Sequence, residues 1–178
     1  MKKEARHQLF AKTFTFPGKW MGEEELEALR AQLIELGRRA LGEVPPYGVY
    51  LPSRKPYENR IITVVYSRET KKPVAFAAMV GWKIQFAGKR RPQTVVHLGV
   101  DVVDPDYRGK MVMYQAYHRP LSRYYVKRFF RPFWITSTTM EPVIFGSVAD
   151  NFSRVFPHYL PERSGKPDAE QLQIAGTF

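Results

Sequence analysis

LGVDVVDPDYRGKMVM, residues 98–113, is the stretch whose reading decides the fold. It begins as an apolar run, breaks at Pro105, and passes through Arg108, Gly109 and Lys110 into the helix-forming MVMYQAYH. A helix starting directly after such a turn presents amide N–H groups with no intrahelical acceptor, at the positive end of its dipole. That is a natural seat for an anion. Glycine would let the backbone close on the anion, whereas Met111 and Met113 place flexible bulk there. Two readings stand: a phosphate-gripping turn narrowed by methionine, or a plain strand-to-helix turn whose methionines pack into the core.

Upstream, residues 8–16 (QLFAKTFTF) alternate like a strand and end at PGKWMG. Residues 23–41 carry Leu26, Leu29, Leu33, Leu36 and Leu41 near helical spacing, with acids in the first turn and arginines in the last, which predicts a helix. Residues 42–60 contain four prolines and read as an extended connection across the surface, suited to lie over a substrate cleft. Strands are expected at 61–67, 73–86 and 93–103, joined by the polar turns RETKK and AGKRRP, so an antiparallel meander is the economical arrangement. A helix should start near Lys110, kinked or split at Pro120 before LSRYYVKRFF resumes. A strand at 132–139 and a helix at 141–156 follow, and the tail 157–178 is polar until LQIAGTF, which leaves room for one short strand. The order β-α-β-β-β-α-β-α describes a single α+β (mixed α/β) domain over residues 1–178, with a central, mostly antiparallel sheet flanked by helices.

Composition narrows the chemistry. The absence of cysteine excludes disulfides, thiolate zinc sites and a cysteine nucleophile, and suits a cytoplasmic location. Four scattered histidines with no His-x-Glu or HExxH spacing argue against a metal site. No run of 18 apolar residues is present, and the N-terminal lysines lack the apolar segment of a secretory signal behind them. The net charge of +11 points to an anionic partner. It is concentrated: between Tyr107 and Met140 there is no acid, while Arg108, Lys110, Arg119, Arg123, Lys127, Arg128 and Arg131 are all basic. Arg119, Arg123, Lys127 and Arg131 recur every four residues and form one stripe if the helix continues past Pro120. A solvated face is the bland reading of that stripe, but a face with no interspersed acid repels itself.

The element order and the motif together resemble the GNAT superfamily of acyl-CoA-dependent N-acyltransferases over roughly residues 8–160, with the specific signal confined to 98–113. That family follows a hydrophobic-x-proline turn with Gln or Arg-x-x-Gly-x-Gly or Ala. Here Arg108 takes the arginine position, and Met111 and Met113 take the two small-residue positions. The resemblance implies donor binding by Arg108, Gly109, Lys110, Met111, Val112 and Met113, and an oxyanion-stabilising N–H at Val102 or Val103. It also implies a general base on the same strand. Period-2 alternation puts His97, Gly99, Asp101 and Val103 on one face, which makes His97 and Asp101 the candidates, each with the alternative of a structural hydrogen-bonder. The family's leaving-group acid is commonly a tyrosine in an Asn-x-x-Ala-x-x-x-Tyr pattern. In ADNFSRVFPHYLP the spacing differs and Arg154 replaces the alanine, so Tyr159 is the candidate acid or a structural tyrosine.

The implied activity is transfer of an acyl group from a phosphopantetheine thioester, acyl-CoA or acyl carrier protein, to an amine without a metal. A carrier protein presents a single phosphate rather than a pyrophosphate, which would suit a narrowed loop beside the stripe Arg119, Arg123, Lys127 and Arg131. The alternative is a catalytically silent domain of the same fold whose basic face binds an acidic partner, anionic lipid or nucleic acid. Nucleic acid ranks lower, because no recognised nucleic-acid motif accompanies the charge.

Overall fold

A computed structural model of the chain describes residues 8–127, 131, 133–138 and 142–177, without the side chains of 142–144 and 147. Strand β1 (Leu9–Thr15) leads through a turn into helix α1 (Glu23–Leu41). Glu23, Glu24 and Glu25 face the positive end of α1, and Arg38 and Arg39 face its negative end. Its stripe Leu26, Leu29, Leu33 and Leu36 is fully buried and packs on Ile62, Val64, Phe76 and Ala78 of the sheet. Each such leucine contributes roughly 1.5–3 kcal/mol by leaving water, so this face carries much of the core.

Strands β2 (Arg60–Ser67), β3 (Pro73–Ile84) and β4 (Gln93–Val103) form the expected meander. Helix α2 (Val112–Lys127) covers the face opposite α1 and crosses to β5 (Trp134–Ser137), which pairs with β4 in parallel. The sheet order among the described residues is β1-β2-β3-β4-β5. Helices α3 (Pro142–Asn151), α4 (Pro161–Ser164) and α5 (Ala169–Ala175) complete the chain. No described helix is long and apolar enough to cross a membrane.

Several expectations change. Helix α2 starts at Val112 rather than Lys110 and runs unbroken through Pro120, because Val112, Ala116 and Pro120 form its buried i, i+4, i+8 stripe. Packing along that stripe outweighs the one internal hydrogen bond that proline removes. The helix expected at 141–156 ends at Asn151, and the strand expected at 132–139 shortens to Trp134–Ser137, with 132, 139 and 141 outside the described residues. Residues 172–175 (LQIA) are not a strand: they belong to α5, which ends at Ala175. The Asp168 carboxylate accepts from the Gln171 amide at 2.8 Å and the Gln171 side chain accepts from the Asp168 amide at 2.9 Å, a reciprocal cap that starts a helix. Ile174 then docks on Ile84, Phe86 and Val95. Nor does the proline-rich connection merely cross the surface. Val49, Tyr50 and Tyr57 are buried in the core under α1, and the Tyr57 hydroxyl donates to the Val49 carbonyl.

The most consequential departure lies within β4. Ala77 pairs with Asp101 but Met79 pairs with Leu98, so Gly99 and Val100 together oppose Ala78. This bulge inserts one residue and reverses the alternation beyond it. Val96 and Leu98 face α2, and past the bulge so do Asp101 and Val103, while Val100 and Val102 pack towards α1. His97 lies on the α1 side with Trp82, its ring centroid 5.7 Å from the indole. The single face expected for His97, Asp101 and Val103 is therefore two faces. Gly99 permits the close approach, since a Cβ built there would stand 2.8 Å from the Ala78 carbonyl oxygen. Gly99→Ala should destabilise the domain by about 1–3 kcal/mol, measured as a lowered urea midpoint.

Candidate functional site

The bulge also marks where β5 leaves. Pairing between β4 and β5 runs from Val95–Trp134 to Leu98–Ser137, whereas β4 continues to Val103 with β3 as its registered partner. Beyond Leu98 the β5 side of β4 has no paired strand among the described residues, and that unpaired side is termed the gap. Asp104 donates its N–H to Val74 of β3 at 2.9 Å. Because successive strand residues aim their amides to opposite sides, Val102 also addresses β3 and the Val103 amide addresses the gap.

At the gap's mouth, Pro105–Tyr107 form a 3₁₀ turn closed by the Asp104 carboxylate, which accepts from the Asp106 amide at 3.1 Å. Asp104 also pairs with Arg39 of α1 at 3.2 Å, fastening the turn to that helix. Gly109 adopts φ +71° and Met111 φ +55°. Met111 thus stands where the motif expects glycine and holds a glycine-like left-handed backbone, with an exposed side chain. Met113 does otherwise and packs on the cluster of Leu9, Val65 and Val74. One methionine belongs to the loop surface and the other to the core. The basic side chains bind protein: Arg108 donates to the Ala40 carbonyl at the end of α1 at 2.9 Å, and Lys110 donates to the Asp106 carbonyl at 2.6 Å with its ammonium 4.9 Å from the Tyr107 ring centroid. There the Lys110 N–H donates to the Tyr107 carbonyl at 3.4 Å, and the backbone of residues 109–113 turns into the start of α2.

His97 sits at the inner end of the gap, one residue before β4 and β5 part. Its Nδ1 is 3.0 Å from Oγ1 of Thr136 on β5. Burial, with Arg60 adding a like charge, pushes its imidazolium below the usual histidine range, so the ring is neutral at neutral pH. It lines a cavity of about 410 Å³ bounded by β5, α3, the segment 152–157 and α5.

Asp101 lies on the other face and accepts from the Tyr117 hydroxyl of α2 at 3.1 Å. Burial pushes its carboxyl above the usual carboxylate range, opposed by that hydroxyl and by its own amide. Tyr159 is outside the cavity, donating to Asp150 at 2.7 Å. The structure therefore puts Asp101 and Val103 together beside α2, His97 farther back along β4 on the other face, and Tyr159 apart from all of them. Arg119, Arg123 and Lys127 are exposed along α2, with Arg119 donating to the β1 carbonyl of Ala11 at 3.3 Å, whereas Arg131 lies beyond the helix end. Among the described residues, no group of three or more acidic or histidine side chains is placed to hold a metal.

Sequence reasoning missed Tyr117, Thr136 and the cavity walls. Phe145 and Phe152 are seven residues apart, two helical turns, and that spacing was the available signal.

No family model matches the sequence, and no curated protein matches it. Solved structures do resemble it. An aminoglycoside acetyltransferase from an uncultured soil metagenomic sample, in complex with sisomicin, is 12% identical, with 78% of this chain and 81% of that one covered at a TM-score of 0.50. The aminoglycoside 6'-N-acetyltransferase AAC(6')-Ih from Acinetobacter baumannii is 11% identical, with 80% and 87% covered at a TM-score of 0.51. The fold is that of the GNAT acetyltransferases.

Two outcomes follow from this geometry. Met111→Gly relieves about 1–2 kcal/mol of left-handed strain against roughly 0.5–1 kcal/mol of added chain entropy, so the urea midpoint should rise modestly. For Asp101 the folded carboxyl is raised, so its contribution to stability is present below the unfolded value of 3.8 and is lost as pH rises through the folded value. Asp101→Asn cannot ionise, and its urea midpoint relative to the parent should increase from acidic to neutral pH.

Proposed function

We propose that this GNAT-fold chain transfers an acyl group from a phosphopantetheine thioester to an amine. The observation that carries the reading is the gap between β4 and β5, with the Val103 amide on its wall, the start of α2 at its mouth and His97 at its inner end. A pantetheine arm lying in that gap would reach from the α2 amides, which suit its phosphate, towards His97. The amine nitrogen attacks the thioester carbonyl beside His97, and the Val103 N–H, six residues and roughly 20 Å further along β4, is left to hold the pantetheine arm rather than the oxyanion. Collapse breaks the C–S bond and releases the thiolate, while the amine's proton passes to His97 directly or through water. The depressed imidazole favours this role, because it holds the ring in its accepting form. Asp101, bonded to Tyr117, acts here by positioning α2 on β4. Tyr159, already bonded to Asp150, is not required.

Acyl-CoA and an acyl carrier protein both present their phosphate to the same amides. The left-handed backbone at Met111 supports retained phosphate binding, since the loop keeps a glycine-like path. The exposed Arg119, Arg123 and Lys127 support the carrier protein as donor, because a carrier seated on α2 delivers its arm to that helix's own start. One observation favours the second reading, a silent binding module whose basic face takes an acidic partner or nucleic acid: Arg108 and Lys110 are bonded to protein carbonyls.

Thermal shift with CoA, acetyl-CoA and acyl carrier protein separates the two readings, because a ligand of the native state raises its apparent stability. The transferase reading requires a shift with at least one donor; a flat response to all of them leaves the binding module. In a thiol-release assay His97→Gln should lower kcat/KM by about 10²–10⁴-fold, and the parent rate should rise through a pKa below the usual histidine value.

A further inference from the structure

The cavity beside His97 carries an inference about the acceptor, and it rests on the acyl-transfer reading above. Its walls are apolar and aromatic: Trp134, Phe145, Val148, Phe152, Phe156 and Ile174. At the rim, Arg154 pairs with Asp168 at 2.6 Å and lies over the Trp134 ring at 5.0 Å, and Gln171 donates to the Arg154 carbonyl at 2.9 Å. These rim groups serve one another, and Asp168 itself is not part of the lining. No carboxylate is present among the described lining residues.

We infer that this cavity is the acceptor pocket and that it takes an aromatic monoamine, an aryl group on a short chain ending in the amine that is acylated. Because His97 lines the same space, whatever fills it brings its amine to the base. The volume of about 410 Å³ suits a body of one or two rings. Trp134, Phe145 and Phe152 offer ring faces and edges for packing. A polycationic acceptor, such as the aminoglycoside bound by the structural relative, would set several ammonium groups against these rings beside a guanidinium, with no carboxylate partner among the described lining residues, at a cost of several kcal/mol for each charge that is desolvated. An aromatic monoamine carries one charge, which it surrenders on reaction. The step balances without a co-reactant: amine and thioester give amide and free thiol, the N–C bond replacing the C–S bond and the amine's proton ending on the thiol.

The test pairs turnover with direct binding. Thiol release from acetyl-CoA and from an acyl carrier protein is measured with 2-phenylethylamine, tryptamine, kanamycin and spermidine, and binding of the same amines is followed by saturation-transfer NMR. The arylalkylamines should exceed the polycations by at least about tenfold in kcat/KM. Val148→Trp, which fills the cavity, should raise the arylalkylamine KM about tenfold and leave the donor KM unchanged. Phe152→Ala at the exposed edge tests the same wall if the tryptophan variant does not fold. Arylalkylamine binding that these variants weaken, without turnover by any amine, would keep the pocket and overturn acyl transfer. Equal turnover of polycations would overturn the pocket, as would failure of the arylalkylamines to bind. So would a variant effect on acyl-chain length preference instead of acceptor KM.

Discussion

The extra residue that β4 carries opposite Ala78 sets the arrangement of everything around it. A strand has two faces, and one inserted residue exchanges them for all that follows. Before the insertion β4 is a central strand, hydrogen-bonded on both sides through Leu98; after it, β4 keeps β3 and loses β5. The same local event therefore sends His97 and Asp101 to opposite faces and leaves the Val103 amide on the side of β4 that β5 no longer pairs. The insertion depends on the missing side chain at Gly99, which leaves the Ala78 carbonyl room to approach.

Two helices hold this distorted strand in place from either side. On one face the leucines of α1 pack on Ile62, Val64, Phe76 and Val102, and Arg39 reaches from the helix end to Asp104 just beyond the strand. On the other, Val112 and Ala116 of α2 pack on Val65, Ala75 and Ala77, and Tyr117 reaches back to Asp101. A hydrogen bond to a charged group contributes about 1.5–3 kcal/mol, more than a neutral pair. The polar contacts near the end of β4 thus fix the strand that the apolar contacts alone would only press flat. The left-handed backbone at Met111 persists because the strand on one side and the α2 stripe on the other determine its path.

Charge and apolarity are divided between the two ends of the gap. At the mouth, Arg108 and Lys110 fasten the loop to Ala40 and Asp106, and the exposed bases of α2 extend outward from it. At the inner end, aromatic side chains from β5, α3 and the following segment line a partly open space whose rim charges are already paired. Under the proposed transfer, a long-range positive field at the mouth would attract an anionic donor, while the aromatic end would discriminate by shape and by the cost of desolvating charge.

Much of the fold was legible along the chain. The leucine stripe over 23–41 fixed α1 to the residue, and alternating apolar runs between polar turns located β2, β3 and β4 within two residues at either end. The proline turn after Val103 identified the strand-to-helix step, because local geometry and solvent exposure leave periodic marks in sequence. Tertiary contacts decided the rest. Pro120 stays within one helix because its neighbours are buried against the sheet, and LQIA (172–175) becomes helical because a cap forms and Ile174 finds an apolar cluster. Most of all, period-2 counting could not detect the bulge, which exists only as a mismatch between two strands. The residue types that chemistry requires were therefore determined by the sequence, whereas which of them meet was decided by the pairing of β4 with β3 and β5.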